Sequence, residues 1–409
     1  MGKAHRPRPV GFQPFYHSLM ESAPLPTVTL KIERRSQHPW VFQKMVERPA
    51  VRIAPGSVVE VRDRAGQWVG RAFYNGHSRI TLRMLTVNAD EPVDAAFFSK
   101  KIAAAVAFRR DVLKLDADTD AYRLVHSEAD GLSGLVVDRF ADTVVIEFFS
   151  AGMFKQRDVI RAALGEHFPG AKFYWFAEEH VGKQESFDCR PPEPPPPGVI
   201  TEHGLKFRVA PGSKHKTGFF VDQRENRRTL ASFCGGKRVL DLCCNTGGFS
   251  VYAKAMGGAA DVTGVDLDET AIELAKQNAK LNGVAARFVQ ADLFSWIRDV
   301  LPNGEKFDVV VLDPAKLTRD RETVDLALKK YCDMNRLALH TVAPGGVFLT
   351  CSCTGLVSES DFLESVRRAA WQAGRQLQVF KVSGAGPDHP FLLSVPEGRY
   401  LKAVFARVE

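Results

Sequence analysis

Cysteine is scarce in this sequence and follows no familiar spacing. The chain has seven cysteines in 409 residues, an odd number without the pattern of a disulfide framework, which indicates a reducing compartment such as the cytoplasm. Cys351 and Cys353 stand close together but lack the Cys-x-x-Cys pairing of a zinc site. No metal is therefore predicted.

Long hydrophobic runs are missing as well. No stretch approaches the roughly 20 apolar residues that a membrane-spanning helix needs, so no membrane association is expected. The N-terminal segment is basic and contains proline, yet it lacks the apolar core of a secretory signal. Residues 1–26 are interpreted as a flexible arm, with a mitochondrial presequence as the alternative.

Positive charge is in excess. The formal net charge is +7 and the isoelectric point is near 9.0. A basic surface raises the local concentration of polyanions, so this balance favours acidic partners, nucleic acid first. A basic protein with no such partner is the alternative on charge alone.

The first part of the chain is typical of a small β module. Residues 27–94 alternate short apolar runs with turn residues. Within them, RRSQHPWVFQ offers Arg34 and Arg35 as contacts for RNA phosphates. We expect Trp40 and Phe42, in the same segment, to belong to the core of a small barrel rather than to stack on bases.

The middle of the chain, residues 95–198, predicts an α+β module. A helical pattern runs from Ala95 to Leu113, and alternating segments with an Asp-Gly turn follow. The module ends in the proline-rich stretch from Arg190 to Gly198, which must be extended and semi-rigid. We place the last domain boundary there.

Residues 199–409 predict a doubly wound α/β domain, because strands and helices alternate along them. An apolar run enters a glycine turn in VLDLCCNTGGF, Val239 to Phe249. Asp266, Asp292 and Asp313 then stand at the ends of three later strands. The carboxyl ends of parallel strands are where ligands bind in such sheets, so these positions predict a nucleotide-like cofactor.

The glycine turn narrows the choice of cofactor. It offers Gly247 and Gly248 but no third glycine for the Gly-x-Gly-x-x-Gly fingerprint that holds a pyrophosphate. A nucleoside without phosphate, such as S-adenosylmethionine, needs no such nest. The turn backbone would meet its amino acid moiety, Asp266 its ribose and Asp292 its adenine amine. The predicted cofactor-binding residues are Asp241, Asn245, Thr246, Gly247, Phe249, Asp266, Leu267, Asp292 and Asp313. Aspartates that merely cap helices are the alternative.

Several segments together resemble the family of ribosomal RNA large-subunit cytosine-5 methyltransferases. RRSQHPWVFQ resembles the start of its N-terminal PUA module, and YRLVHSEADGLSGLVVDRF resembles its central module. KTGFFVDQRENR, VLDLCCNTGGFS, DPAKL, TCSCTGLVSESDF and DHPFLLSVPEGRYLK resemble its catalytic domain. The resemblance implies a Rossmann-like methyltransferase domain, S-adenosylmethionine as cofactor, large-subunit ribosomal RNA as partner, and a possible homodimer.

The resemblance also implies roles for particular side chains. Cys353 aligns with the family's motif cysteine, which would add to carbon 6 of a cytosine and activate carbon 5 for methylation; Cys351 is its rival. Asp313 would hydrogen-bond the base as charge develops, and Lys316 would contact phosphate. The family's loop usually reads Asp-Pro-Pro-Lys, whereas Ala315 stands at the second proline here, so we expect a looser loop around a flipped base.

Two other functions stay open from the sequence. One is a guanine or other base methyltransferase, which would not need Cys353. The other is an RNA-binding assembly factor with an inactive methyltransferase fold. The glycine turn, Asp266, Asp313 and Cys353 together argue against the second, because a binding scaffold has no physical need for all of them.

Overall fold

The computed structural model of the chain describes residues 24–34, 36–212 and 218–409. The predicted flexible arm therefore lies almost wholly outside the described residues, as does Arg35.

The N-terminal module is a small sheet in the order β1-β3-β4-β5-β2. Its strands are β1 (Thr27–Thr29), β2 (Trp40–Phe42), β3 (Ser57–Arg62), β4 (Trp68–Tyr74) and β5 (Ile80–Thr86). β1 pairs parallel to β3, and the other pairs are antiparallel. Alternation along β3 and β4 buries Val59, Val61 and Ala72 in a core of its own.

The central module packs helices on a second sheet, in the order β6-β7-β8-β9. Its elements are α1 (Ala95–Ala107), β6 (Ala121–His126), β7 (Leu135–Phe140), β8 (Thr143–Phe148), α2 (Ala151–Lys155), α3 (Arg157–His167), β9 (Lys172–Phe176) and α4 (Glu179–Glu185). The Asp94 side chain caps α1 by accepting from the Phe97 N–H. The predicted helix continues past α1 as a widened π turn over Phe108–Val112.

A hairpin and one helix connect this module to the last sheet. They are β10 (Gly198–Glu202), β11 (Leu205–Val209) and α5 (Arg224–Ala231). Arg227 of α5 holds the fully buried Glu202 in a forked ion pair, with Nη2 2.7 Å from Oε1 and 2.9 Å from Oε2. The Tyr252 hydroxyl donates to the same carboxylate, so the hairpin is fixed against the last sheet.

The C-terminal part is a mostly parallel sheet in the order β14-β13-β12-β15-β16-β18-β17. Its strands are β12 (Arg238–Leu242), β13 (Asp261–Asp266), β14 (Arg287–Gln290), β15 (Phe307–Leu312), β16 (Val342–Ser352), β17 (Leu377–Ser383) and β18 (Lys402–Val408). The helices between them are α6 (Gly248–Val251), α7 (Glu269–Leu281), α8 (Leu293–Val300), α9 (Val324–Thr341) and α10 (Glu359–Gln372). The strand order reverses between β12 and β15, which is where a doubly wound sheet opens a ligand crevice.

The central module and the last sheet share a hydrophobic core. Val145 and Phe140 of the central sheet belong to one buried cluster with Phe207 of the hairpin and Tyr252 beyond β12. A buried ionic contact reinforces it, because Asp388 accepts from the Arg224 guanidinium at 2.8 Å and from the backbone N–H of Arg123 at 2.9 Å. These contacts hold the central module rigidly beside the crevice.

Candidate functional site: the crevice at the strand ends

The glycine turn after β12 takes a conformation that few residues adopt. Cys243, Asn245 and Gly247 all have positive φ, at 60°, 47° and 77°, and Gly247 is the residue from which α6 begins. Asp266, at the end of β13, accepts from the Asn245 N–H at 2.8 Å and from the Asp268 N–H at 3.0 Å. The turn and this carboxylate are therefore held together at one edge of the sheet.

Asp241 lies in β12, just before the turn, and is fully buried. Its Oδ2 accepts from the Ser250 N–H and hydroxyl, whereas its Oδ1 has no hydrogen-bond partner in the part of the chain that the structure describes. Burial raises the pKa of Asp241 to about 7, with Asp313 and Asp266 adding to the rise and Ser250 opposing it. A buried acceptor among carboxylates suits a positively charged ligand.

The other predicted cofactor residues have varied surroundings. The Thr246 carbonyl accepts from the Asn278 amide at 2.9 Å, the Phe249 ring is buried in the core, and Leu267 is 68% exposed. Asp292 caps α8, since its Oδ1 accepts from the N–H groups of Phe294 and Ser295. Asp292 therefore acts as a helix cap through its Oδ1, as the alternative interpretation of the aspartates expects.

Asp313 directly follows β15, and its side chain is held by a residue that is distant in the sequence. The Gln223 side chain donates to its Oδ2 at 3.0 Å, and Gln223 in turn accepts from the Asn226 amide at 2.6 Å. Gln223 is almost completely buried. Sequence reasoning assigned Gln223 no role, although it stands in KTGFFVDQRENR; its contact spans 90 residues and leaves no local signal.

The two neighbouring cysteines differ sharply in environment. Cys351 lies in β16 opposite Ala403 of β18 and is fully buried, in an apolar cluster but also beside the polar side chain of Gln223. Burial raises the pKa of the Cys351 thiol well above its ordinary value. β16 ends at Ser352, so Cys353 lies just beyond the strand and is only partly buried. Strand alternation therefore does not govern the position of Cys353.

Cys353 and Asp313 leave adjacent strands at the same edge. Leu312 pairs with Thr350 in the parallel register of β15 and β16. The Leu317 N–H, just after the Asp-Pro-Ala-Lys loop, donates to the Thr354 hydroxyl at 3.2 Å. Ala315 and Lys316 in that loop are exposed. Asp313 and Cys353 therefore lie at the same edge of the sheet, each beyond the end of its strand.

The basic N-terminal segment is partly used in internal contacts. The Arg34 guanidinium donates to the His38 carbonyl, and burial lowers the Arg34 pKa. The His38 ring lies 3.3 Å from a carboxylate oxygen of Glu397, and the Trp40 indole donates to Glu128 of the central module. The expectation that Phe42 is a core residue was wrong, because its side chain is 40% exposed on the short strand β2.

The fold and the strand-end site define a methyltransferase that uses S-adenosylmethionine. The family model for S-adenosylmethionine-dependent methyltransferases matches residues 187–385, and a PUA-like domain model matches residues 32–87. The solved structure of SMU.776, a methyltransferase complexed with SAH, covers 94% of this chain and all of its own at a TM-score of 0.80 and 21% identity. At that identity the likeness shows the fold alone.

Curated relatives cover nearly the whole chain. Ribosomal RNA large subunit methyltransferase I of Aeromonas hydrophila is 40% identical over 91% of this chain and 95% of its own length. The protein of that name from Photobacterium profundum is 38% identical over 90% and 94%. The chain belongs to the ribosomal RNA large subunit methyltransferase I family.

Two features are absent from the described ranges. Across residues 24–34, 36–212 and 218–409, no helix is long and apolar enough to cross a membrane. The same ranges contain no group of three or more histidine, cysteine or acidic side chains that could hold a metal ion.

Proposed function

We propose that this protein transfers the methyl group of S-adenosylmethionine to carbon 5 of a cytosine in large-subunit ribosomal RNA, through a covalent adduct with Cys353. The observation that carries the proposal is the partly buried Cys353 at the same sheet edge as Asp313, beside a turn suited to a cationic nucleoside. The relatives' names point to the same RNA.

The β12–β13 side of the crevice would hold the cofactor. When bound, S-adenosylmethionine supplies an electrophilic methyl group on a positively charged sulfur. Asp241 would receive its ammonium group, because Asp241 Oδ1 is a buried acceptor without a partner among the described residues. Asp266 has its orientation fixed by two backbone N–H groups and keeps lone pairs for ribose hydroxyls. Leu267 and Asp292 would flank the adenine.

Cys353 would carry the covalent chemistry. Its thiolate would add to carbon 6 of the cytosine, and the electron pair released at carbon 5 would attack the methyl group, whose bond to sulfur breaks so that S-adenosylhomocysteine leaves. A base then removes the carbon 5 proton, and the bond from sulfur to carbon 6 breaks to restore the ring and the thiolate. Asp313, held by Gln223, would bind the pyrimidine edge and, with a proton taken up on substrate binding, donate to N3, where negative charge develops as the thiolate adds.

The N-terminal module would bind RNA around the target. Residues 27–94 would form the RNA-binding module, residues 95–198 the central spacer and residues 199–409 the catalytic domain. The separate sheets of the three parts support this division. Arg34 and the exposed Lys316 are the proposed phosphate contacts, and the net charge of +7 favours such binding.

Methylation of purified large-subunit RNA with labelled S-adenosylmethionine tests the proposal. The labelled nucleoside, released by complete digestion and identified by mass spectrometry, should be 5-methylcytidine. Labelled methylguanosine would overturn the cytosine assignment and favour the guanine alternative. Absence of label from both naked RNA and assembled subunits would leave the RNA-binding factor as the better account.

A further inference from the structure

A buried lysine lies beneath the segment that carries Cys353. Lys402 opens β18, pairs with Ser352 of β16, and is only 3% exposed. Its ammonium group donates three hydrogen bonds to backbone carbonyls, at 2.8 Å to Thr354, 2.9 Å to Val357 and 2.9 Å to Tyr400. Two of these carbonyls belong to the turn that leads from Cys353 into α10. All three ammonium donors are therefore engaged.

Holding a turn with the buried ammonium group of Lys402 carries a large desolvation cost. A fully buried lysine is rare unless a carboxylate pairs with it, and no carboxylate forms an ion pair with Lys402 within the described ranges. Burial lowers the pKa of Lys402 to about 8, while the charges of Cys353 and Glu359 oppose that shift. A neutral amide could bond the same carbonyls at lower desolvation cost. The retained charge calls for another explanation.

We propose that Lys402 is a positioning residue that fixes the Cys353 turn and, through its buried ammonium, stabilises the Cys353 thiolate. This rests on the proposed function of Cys353 as nucleophile. A cation in a dry surrounding acts strongly on a nearby thiolate because little water screens it. The Cys353 thiol would thus be activated by the buried Lys402 of β18 and not by a side chain that lines the open crevice.

The other charged and titratable groups near Cys353 do not supply this charge equally well. Tyr331 of α9 and Cys351 of β16 both have raised pKa values, mainly through burial, so they are neutral near pH 7. Asp313 carries negative charge and acts against a thiolate. Lys316 is within electrostatic range of Lys402 but is exposed, so solvent screens its charge.

Alkylation of Cys353 tests the proposal without RNA or cofactor. The full chain is treated with iodoacetamide across pH 6–10, and modification at Cys353 is followed by peptide mass spectrometry. Lys402→Met should slow alkylation of Cys353 at pH 7 by roughly tenfold and raise the midpoint of its pH profile by about one unit. Lys402→Arg, which keeps the charge, should restore part of the rate.

Lys254 provides a matched control. Its ammonium also donates to two backbone carbonyls, Ala259 and Ala260, at 2.8 and 2.7 Å, but it lies beyond α6 and away from the thiol. Lys254→Met should leave the Cys353 profile unchanged. An unchanged profile in folded Lys402→Met would overturn the proposal, and so would an equal shift in both variants.

A reciprocal measurement needs no change at Lys402. If the thiolate favours the ammonium, Cys353→Ser must lower the Lys402 titration midpoint, since coupling acts equally in both directions. Nitrogen-15 NMR of labelled lysine side chains would show a drop of about half a unit or more; an unchanged midpoint contradicts the proposal. Because neither test involves methylation, Lys402 can fail while 5-methylcytidine formation holds, and the reverse outcome is equally visible.

Discussion

The two sides of the crevice differ in the charge they present. On the β12–β13 side, the carboxyl groups of Asp241 and Asp266 lie beside the glycine turn. On the β15–β16–β18 side, the partly buried Cys353 precedes a turn whose carbonyls are bonded by the Lys402 ammonium group. The first surrounding suits a cationic ligand, whereas the second suits an anion, either a thiolate or a phosphate.

This contrast shows how one sheet edge can accommodate two chemically opposed reactants. Asp313 stands between them, since its charge acts on Asp241 to one side and on Cys351 to the other. A change at Asp313 should therefore affect chemistry, a change at Asp241 should affect cofactor binding, and a change in the N-terminal module should affect RNA alone.

The largest effect is expected at Asp313. Asp313→Ala should lower kcat for RNA methylation by about 10²–10³-fold, because a hydrogen bond to developing charge is lost. Affinity for S-adenosylmethionine should change only a few-fold. Asp308→Asn is the matched control, since Asp308 lies on the same strand and bonds the Arg238 N–H away from the crevice. Steady-state kinetics and calorimetry separate the two effects; equal losses in both variants would refute the assignment.

Asp241 should govern the cofactor side. Asp241→Asn should weaken S-adenosylmethionine binding by about 10–100-fold, because a charge-assisted contact becomes a neutral one. Methylation at saturating cofactor should persist. Isothermal calorimetry measures the affinity, and Asp261→Asn, at the exposed start of β13, serves as control. Full affinity in Asp241→Asn would remove this residue from the site.

The pH dependence of cofactor binding should follow Asp241. Its pKa is raised to about 7, so below that pH it is protonated and gives a cationic ligand less attraction. Affinity should therefore rise up to about tenfold from pH 6 to pH 8, and the rise should vanish in Asp241→Asn. The contribution of Asp241 to the stability of the ligand-free protein should fall as pH rises from about 4 through 7, because ionisation of Asp241 is opposed in the folded state, and it is measured as the difference between the wild type and Asp241→Asn. Calorimetric titrations and thermal melts across this range check both slopes.

The smallest effect is expected in the N-terminal module. Arg34→Ala should weaken RNA binding only a few-fold and reduce the slope of log affinity against log salt by about one, because its guanidinium is already bonded to His38. Exposed Arg64 in the same module offers a control. Binding curves at several salt concentrations would measure both; a hundredfold loss in Arg34→Ala would give Arg34 a larger part than proposed.

The cofactor side was far easier to predict from sequence than the thiol side. The glycine turn, Asp266 and Asp313 are local features, each at the end of an apolar run, so their place in the sheet follows from the strand pattern. Gln223 and Lys402 reach the crevice only through contacts between distant segments. Asp292 shows that a local pattern can also be ambiguous, since an aspartate at the end of a strand can cap the next helix instead of binding a ligand.

The two cysteines show why the sequence pattern does not predict the position of Cys353. Strand alternation would put Cys351 and Cys353 on one face, yet β16 ends at Ser352, so Cys353 lies outside the strand to which that rule applies. Where a strand ends depends on pairing with β18 and on the turn that Lys402 holds. Neither is visible in the local sequence.

Covalent trapping tests the central claim most directly. In large-subunit RNA containing 5-fluorocytidine, fluorine replaces the carbon 5 proton, so the adduct cannot be resolved after methyl transfer. The wild-type protein and Cys351→Ala should accumulate a denaturation-resistant protein–RNA complex with the crosslinked peptide at Cys353, and Cys353→Ala should form none. A complex that persists in Cys353→Ala and disappears in Cys351→Ala, or methylation that neither change affects, would contradict the account.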